Sequence, residues 1–389
     1  MIVGVPKEIA PGEARVALVP DSLKSLEALG LEIHVQTGAG EAAGFPDSEY
    51  EAAGARLVED AAEVLAAPLV VKVRPPVERT GGGHEIEALA SGASLISFLS
   101  PLDQPELAPR LAKQGVRAFS MELMPRVTRA QSMDALSSQS TIAGYRAVLL
   151  AAMHLPRIFP MLVTAAGTLQ PAKVLVVGAG VAGLQALGTA KRLGAVTSAY
   201  DTRAAVREQV QSVGAKFIEL DLDAGDSEDT GGYAKAQSEA FYQQQRDELA
   251  RHVVASDVVI TTALVPGQAA PLLIEESAVQ GMRSGSVVVD LAAEKGGNCA
   301  ATRADEEITV SGVRVLGPTN LPSQVPAHAS QMYARNLTTF LDHLVEDGEL
   351  VVDREDEITA GTLLVDAGAV VNERVRALLG EAGAEGGGD

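Results

Sequence analysis

Residues 173–194, KVLVVGAGVAGLQALGTAKRLG, carry an apolar strand straight into Gly178, Gly180 and Gly183 and then into a helical pattern. In that context each glycine has its own task in holding a dinucleotide. Gly178 permits a tight turn, Gly180 lets the backbone reach a pyrophosphate, and Gly183 allows close packing of helix on sheet. The following helix turns its N-terminal dipole and free N–H groups toward the ligand, so no Lys or Arg is needed to attract the anion. Asp201 ends the next strand, where a carboxylate binds both hydroxyls of a ribose and repels a 2′-phosphate. The expectation is NAD(H) over NADP(H), with Arg203 two residues on as a partial offset to that repulsion. A glycine-rich turn that serves packing alone is the competing reading. A second run, GAGEAAGF, also puts Gly38, Gly40 and Gly44 after a strand. Its last spacing is one residue too long, Glu41 would face the phosphates, and the strand is the second of its sheet, so it reads as a packing turn.

Alternating strands and helices must position these residues. Apolar runs recur at IVGV from residue 2, EIHV from 32, PLVVKV from 68 and SLISFL from 94. The rhythm restarts with KVLVV from 173, VTSAYD from 196, KFIELD from 216, DVVITTA from 257, SVVVDLA from 286 and VRVLG from 313. Intervening segments such as DSLKSLEALG and DSEYEAAG open on Asp or Ser and close on Gly, as capped crossover helices do. This alternation predicts an α/β chain with two Rossmann-like, doubly wound parallel sheets. Residues 132–155 and Ser330 to Val345 read as long helices joining them. Short extended pieces from Asp347 to Val371 are expected to return the chain to the first sheet. The expected domains are therefore 1–135 with 326–375, discontinuous, and 136–325, which binds NAD(H). Residues 376–389 are expected to form a disordered tail.

A chain of 389 residues with 47% hydrophobic and 21% charged residues is globular and long enough for two cores. Its 31 basic and 51 acidic residues give a net charge of −20, which argues against nucleic acid and against direct membrane insertion. The longest uncharged run, Val174 to Ala190, is broken by glycines and Gln185, so no membrane span is expected. Lys7, Glu8, Glu13, Arg15 and three prolines in the first twenty residues are unlike a secretory signal. The single cysteine, Cys299, permits no internal disulfide and reads as inert, which fits a reducing compartment. The six histidines show no metal-ligand spacing.

Several separate motifs occur in order: VPKEIAPGEARVALVP, GAGVAGLQA, DTR, ITTALVPG, DLAAEKGGN and GPTNLPS. With them nearly the whole chain resembles the family that contains alanine dehydrogenase and the NAD(H)-binding component of proton-translocating transhydrogenase. Alanine dehydrogenases carry a Lys in a VKxKEP-like stretch and a His after a SLISFL-like strand. Here VKVRPP and SFLSPLDQ place Arg74 and Ser100 at those positions, leaving no general acid or base for a 2-oxo acid. Arg15, which would meet a substrate carboxylate in the dehydrogenase, is retained and also reads as half of a structural ion pair.

On its residues alone, PRVTRAQSMD is an Arg-containing loop and helix start, with Ser132 placed to cap the helix. The longer stretch MPRVTRAQSMDALSSQS resembles the transhydrogenase loop that frames the nicotinamide. The resemblance implies that Arg126 and Ser137 hold the nicotinamide region, that Gln131 bridges toward a second cofactor and that Asp134 organises the loop. Ser132 and Met133 would lie against the cofactor. Val181, Thr202, Arg203 and Leu264 match positions along the adenosine half. The acidic, Gly-rich segment from Asp221 to Gln245 resembles a mobile loop that brings Gly232, Tyr233 and Gln245 near NAD(H). A plain surface insertion is its other reading.

The implied activity is that of a separate NAD(H)-binding subunit. Hydride would pass from NADH to NADP+ held on a partner subunit, coupled to proton translocation. Direct transfer between two nicotinamides needs near-attack positioning and no proton relay. The resemblance also implies a homodimer on the cytoplasmic face of a membrane complex, docked through NADP(H)-binding and transmembrane subunits. An alanine dehydrogenase-like oxidoreductase and a non-catalytic NAD-sensing module are the alternatives.

Overall fold

A computed structural model describes residues 1–220, 238–265 and 267–385. The chain divides into two compact units, Met1–Gln139 with the chain from Ser323, and Ser140–Pro322. No helix among the described residues is long and apolar enough to cross a membrane.

In the first unit, β1 (Ile2–Val5), β2 (Glu32–Gln36), β3 (Arg56–Val58), β4 (Leu69–Val71), β5 (Ser94–Ser97) and β6 (Arg117–Ser120) run parallel in spatial order β6-β5-β4-β1-β2-β3. In the second unit, an exposed hairpin of β7 (Leu162–Thr164) and β8 (Gly167–Leu169) precedes a larger sheet. That sheet holds β9 (Lys173–Val177), β10 (Val196–Tyr200), β11 (Lys216–Phe217), β12 (Val258–Thr261), β13 (Val287–Asp290), β14 (Glu307–Val310) and β15 (Val313–Leu316), in order β11-β10-β9-β12-β13-β15-β14. All its pairs are parallel except β14 with β15. Central strands such as β9 and β12 are buried on both faces, which is why KVLVV and VVIT read as unbroken apolar runs instead of alternating.

After the helix Pro326–Leu344, β16 (Val345–Glu346) and β17 (Glu349–Leu350) form a small hairpin. Next, β18 (Leu363–Asp366) pairs antiparallel with β6, and β19 (Ala369–Val370) with β18, so the returning chain completes the first sheet. One stripe of the Pro326–Leu344 helix, Tyr333, Leu337, Phe340, Leu341 and Leu344, is buried in the first core. The other long helix, Ala135–His154, contains the division between the units. One expectation is corrected at the C-terminus. Helix Glu373–Glu385 runs through residues read as disordered tail, and it is anchored by buried Val375 and by Leu379 against the first unit's core.

The C-terminal ends of β1 and β4 are tied together by charge. Lys72, just beyond β4, has a side chain 0% exposed and lies 3.1 Å from Glu8 Oε2 and 2.9 Å from Glu85 Oε1. Glu8 also accepts from the Val73 N–H at 2.6 Å, and Glu85 from the Val77 N–H at 2.8 Å. Burial disfavours the Lys72 ammonium, but the two carboxylates outweigh it and hold its pKa above the ordinary lysine value. Replacing Lys72 with Met would leave two buried carboxylates without their cation. Lys72→Met is expected to lose about 3–5 kcal/mol of unfolding free energy in urea titrations. A loss below about 1 kcal/mol would show the triad to be dispensable.

Candidate functional site

In the second unit the chain leaves β9 in both directions, toward β10 and β11 on one side and β12, β13 and β15 on the other. The crevice beyond the C-terminal end of β9 is therefore the sheet's topological switch point, where such folds take ligands. Gly178, Gly180 and Gly183 sit there. Gly178 adopts φ +98°, and a Cβ on it would come within 2.6 Å of Thr262 Oγ1. A Cβ on Gly183 would lie 1.9 Å from the Gly178 carbonyl oxygen. The chain's own packing thus requires both of these glycines. Gly180 differs: a Cβ there would meet only Arg203 Nη2, at 3.9 Å. Among the described residues nothing fixed fills the space that its missing side chain leaves for a close-approaching ligand.

The helix Val181–Arg192 begins at Gly180 with no side-chain cap. Its first N–H groups have no intrahelical acceptor, and they make an anion site at the crevice. A second close contact, absent from the sequence reading, holds this helix in place. A Cβ on Gly144, in the Ala135–His154 helix, would lie 2.1 Å from the Ala182 carbonyl oxygen. The local signal was a glycine inside a long helical run, which often marks close packing.

Asp201 lies just past β10, and its side chain is 5% exposed. Its carboxylate accepts from the Ala179 N–H at 2.7 Å and is gripped by Arg203 through Nε at 2.9 Å and Nη2 at 2.8 Å. Val181 and Leu264 stay partly exposed at the ends of β9 and β12, 38% and 42% respectively, and Thr202 is half-buried. Gln245, on helix Glu239–Val254, is buried and donates through Nε2 to the Tyr200 hydroxyl at 2.9 Å. Burial pushes the Tyr200 phenol up to about 12, so it stays protonated. Gly232 and Tyr233 lie outside the described residues.

DLAAEKGGN and ITTALVPG prove to be one hydrogen-bonded unit. The fully buried Asp290 accepts from the N–H groups of Ala292, Asn298 and Cys299 and from Thr302 Oγ1. The Asn298 side chain then accepts from the Ala263 N–H and donates to the Ala263 and Pro271 carbonyls, fixing the loop after β12. Burial raises the Cys299 thiol to about 11, in keeping with an inert residue.

The loop from Arg126 to Ser137 belongs to the first unit. Asp134, not Ser132, caps the Ala135–His154 helix: its carboxylate accepts from the Ser137 N–H at 2.9 Å and the Ser137 hydroxyl at 2.6 Å. A carboxylate satisfies an orphan helix N–H and also complements the helix dipole, whereas Ser132 lies further back in a 3₁₀ turn, Thr128–Met133. Two outside groups tether that turn. Asn336 Nδ2 donates to the Ser132 carbonyl at 2.7 Å, and Arg129 pairs with Asp356 at 2.9 Å. Backbone N–H donors, Thr359 foremost, and Arg129 hold the Asp356 carboxyl well below the usual carboxylate range. Arg126, Gln131 and Ser132 are exposed, while Met133 is buried in the first core.

Arg15 is buried, with Nε and Nη2 on the two oxygens of Glu13 at 2.8 and 2.7 Å and Nη1 on Gln139 at 2.8 Å, the structural ion pair anticipated as one of its two readings. Arg74 is half-buried, its N–H on Glu8, and Ser100 takes φ +48° with its N–H on Glu122. Gly40 packs against Tyr50, where a Cβ would lie 2.6 Å from the ring, so GAGEAAGF is a packing turn. Among the described residues no group of three His, Cys, Asp or Glu could hold a metal ion.

Strand order, fingerprint and strand-end acid define a Rossmann-type, dehydrogenase-like chain. Family models for the alanine dehydrogenase/PNT N-terminal and C-terminal domains match residues 4–143 and 147–373. The chain belongs to the alanine dehydrogenase/PNT family. It is 47% identical to an NAD(P) transhydrogenase subunit alpha chain of Rhodospirillum rubrum, over 96% of this chain and 98% of that one. It is 31% identical to alanine dehydrogenase of Halomonas elongata, over 98% and 97%. A crystal structure of transhydrogenase from Sinorhizobium meliloti superposes with TM-score 0.83 at 43% identity, covering 96% of this chain and 99% of that one.

The two helical glycines give a paired prediction. Gly144→Ala should cost about 1–3 kcal/mol by forcing the helices apart. Gly188→Ala has room, its Cβ meeting among the described residues only Arg192 Nη1, at 3.6 Å. It should gain about 0.5–1 kcal/mol from helix propensity. Chemical denaturation of both variants checks this, and shifts of the same sign would refute the clamp at Ala182.

Proposed function

We propose that this chain is the NAD(H)-binding subunit of a proton-translocating NAD(P) transhydrogenase, passing hydride from NADH to NADP+ held on a partner subunit. The observation that carries the reading is similarity along the whole chain to transhydrogenase alpha subunits, joined to a dinucleotide crevice in the second unit. Against the dehydrogenase alternative stand Arg74 and Ser100 at the positions of its Lys and His.

The residues present fit NAD(H). The uncapped start of the Val181–Arg192 helix holds the pyrophosphate, Gly180 admits it, and Asp201 takes the ribose hydroxyls. Val181, Thr202 and Leu264 line the adenosine half, with Gln245 near the cofactor. In the first unit, Arg126 and Ser137 orient the nicotinamide side, with Ser132 beside it, and Gln131 faces the partner's cofactor; Met133, buried in the core, supports the loop from behind. Asp134, engaged in its cap, keeps that loop in shape. Bound NAD(H) supplies the hydride chemistry, and the chain's residues bind, orient and exclude water without moving a proton.

The chain also works as a homodimer in this reading, with NADP(H)-binding and transmembrane subunits joining it to the inner face of the cytoplasmic membrane. The β7–β8 hairpin supports self-association, since Met161, Leu162, Val163 and Leu169 are 59%, 44%, 72% and 54% exposed. An apolar cluster of that kind ordinarily marks an interface.

Two measurements test the proposal. The chain mixed with an NADP(H)-binding partner should reduce an NADP+ analogue at the expense of NADH, and the chain alone with L-alanine and NAD+ should produce no NADH. Efficient alanine oxidation, or no transfer in the mixture, would overturn it. For the dimer, sedimentation should find twice the chain mass for the wild type and the single mass for Val163→Asp. A monomeric wild type removes the homodimer.

A further inference from the structure

We propose that Arg203 is an internal placeholder on Asp201 that the ribose of NAD(H) must displace, and that its charge narrows the discrimination against a 2′-phosphate. The inference rests on the NAD(H) reading of the second unit and assigns Arg203 a role opposite to that of a simple cofactor contact.

The acceptor capacity of Asp201 is full. Oδ1 accepts from the N–H and the Nε of Arg203, each at 2.9 Å, and Oδ2 accepts from Arg203 Nη2 at 2.8 Å and the Ala179 N–H at 2.7 Å. Four donors match the roughly four lone-pair positions of a carboxylate, so two ribose hydroxyls find none vacant. Two of the donors are backbone groups fixed by the turn after β9 and the end of β10. The other two sit on a rotatable side chain, so the guanidinium is the part that can yield. Its planar fork matches the carboxylate as two hydroxyl donors would.

The same guanidinium also covers Gly180. Nη2 stands 3.9 Å from where a Cβ on that glycine would be, the one neighbour there among the described residues. One side chain thus spans the ribose acid and the close-approach glycine of the fingerprint. Once displaced it stays tethered two residues from Asp201, and a cation there offsets the repulsion that the carboxylate exerts on a 2′-phosphate.

The test titrates the full chain with NADH and with NADPH, reading reduced-nicotinamide fluorescence, for wild type, Arg203→Gln and Arg203→Lys. Losing the charge-assisted fork should tighten NADH by up to about tenfold in both variants. NADPH should weaken about tenfold in Arg203→Gln, while Arg203→Lys, which keeps the charge, holds NADPH near its wild-type affinity. Weaker NADH binding in both variants would make Arg203 a contact of the bound cofactor and overturn the proposal. An unchanged NADH-to-NADPH ratio in Arg203→Gln would overturn it as well. A wild type that binds neither nucleotide would instead remove the underlying site reading, so the two failures are distinguishable.

Discussion

Whatever the second unit does with an anion depends on how closely the Val181–Arg192 helix lies against the end of β9. Gly183 permits contact with the Gly178 carbonyl, and Gly144 permits contact with the Ala182 carbonyl from the opposite helix. Together they set the first turn's N–H groups at the switch point. The net charge of −20 opposes an anionic ligand at long range. That field is screened within about 8 Å at physiological salt, whereas the backbone donors act in direct contact. Local geometry therefore prevails over the global field, and the site attracts an anion without a dedicated lysine.

Topology alone does not make a nucleotide site, and the first unit furnishes its own switch point differently from the second. Its parallel strands follow the same doubly wound order about β1, and the loop after β1 reaches the same kind of switch point. Here that end of the sheet is filled from within, by Lys72 between Glu8 and Glu85, each no more than 3% exposed. The first sheet uses its crevice for a buried ion network, and such networks are costly to break.

Much of this was legible in the residues, because long apolar runs report strands and GAGVAG followed by a strand-end acid reports a crevice. Less visible were β3, β6 and β14, whose short, mixed sequences RLV, RAFS and EITV carry little period. Two site features stayed hidden because they depend on contacts far apart in the chain. Gly144 matters only because Ala182 packs on it, and Asn336 only because its amide reaches the Ser132 carbonyl. Asp134 displaced Ser132 as helix cap through a geometry that spacing alone leaves open. For Arg203 the residues indicated a charge offset; its occupation of Asp201 is set by a side-chain conformation that residue type and spacing leave open.

A free substrate would meet further obstacles in the first unit. A 2-oxo acid presenting its carboxylate to Arg15 would have to break a buried bidentate pair with Glu13, a step that ordinarily costs about 3–5 kcal/mol when nothing replaces the partner. The incoming carboxylate would replace Glu13 at the guanidinium, but Glu13 would then be stranded beside it, with a side chain 0% exposed. Asp134 is held in its helix cap, and Arg74 carries a guanidinium that cannot deprotonate. Side chains so engaged are poorly placed to move protons. The proposed hydride transfer between two bound nicotinamides asks for no such movement.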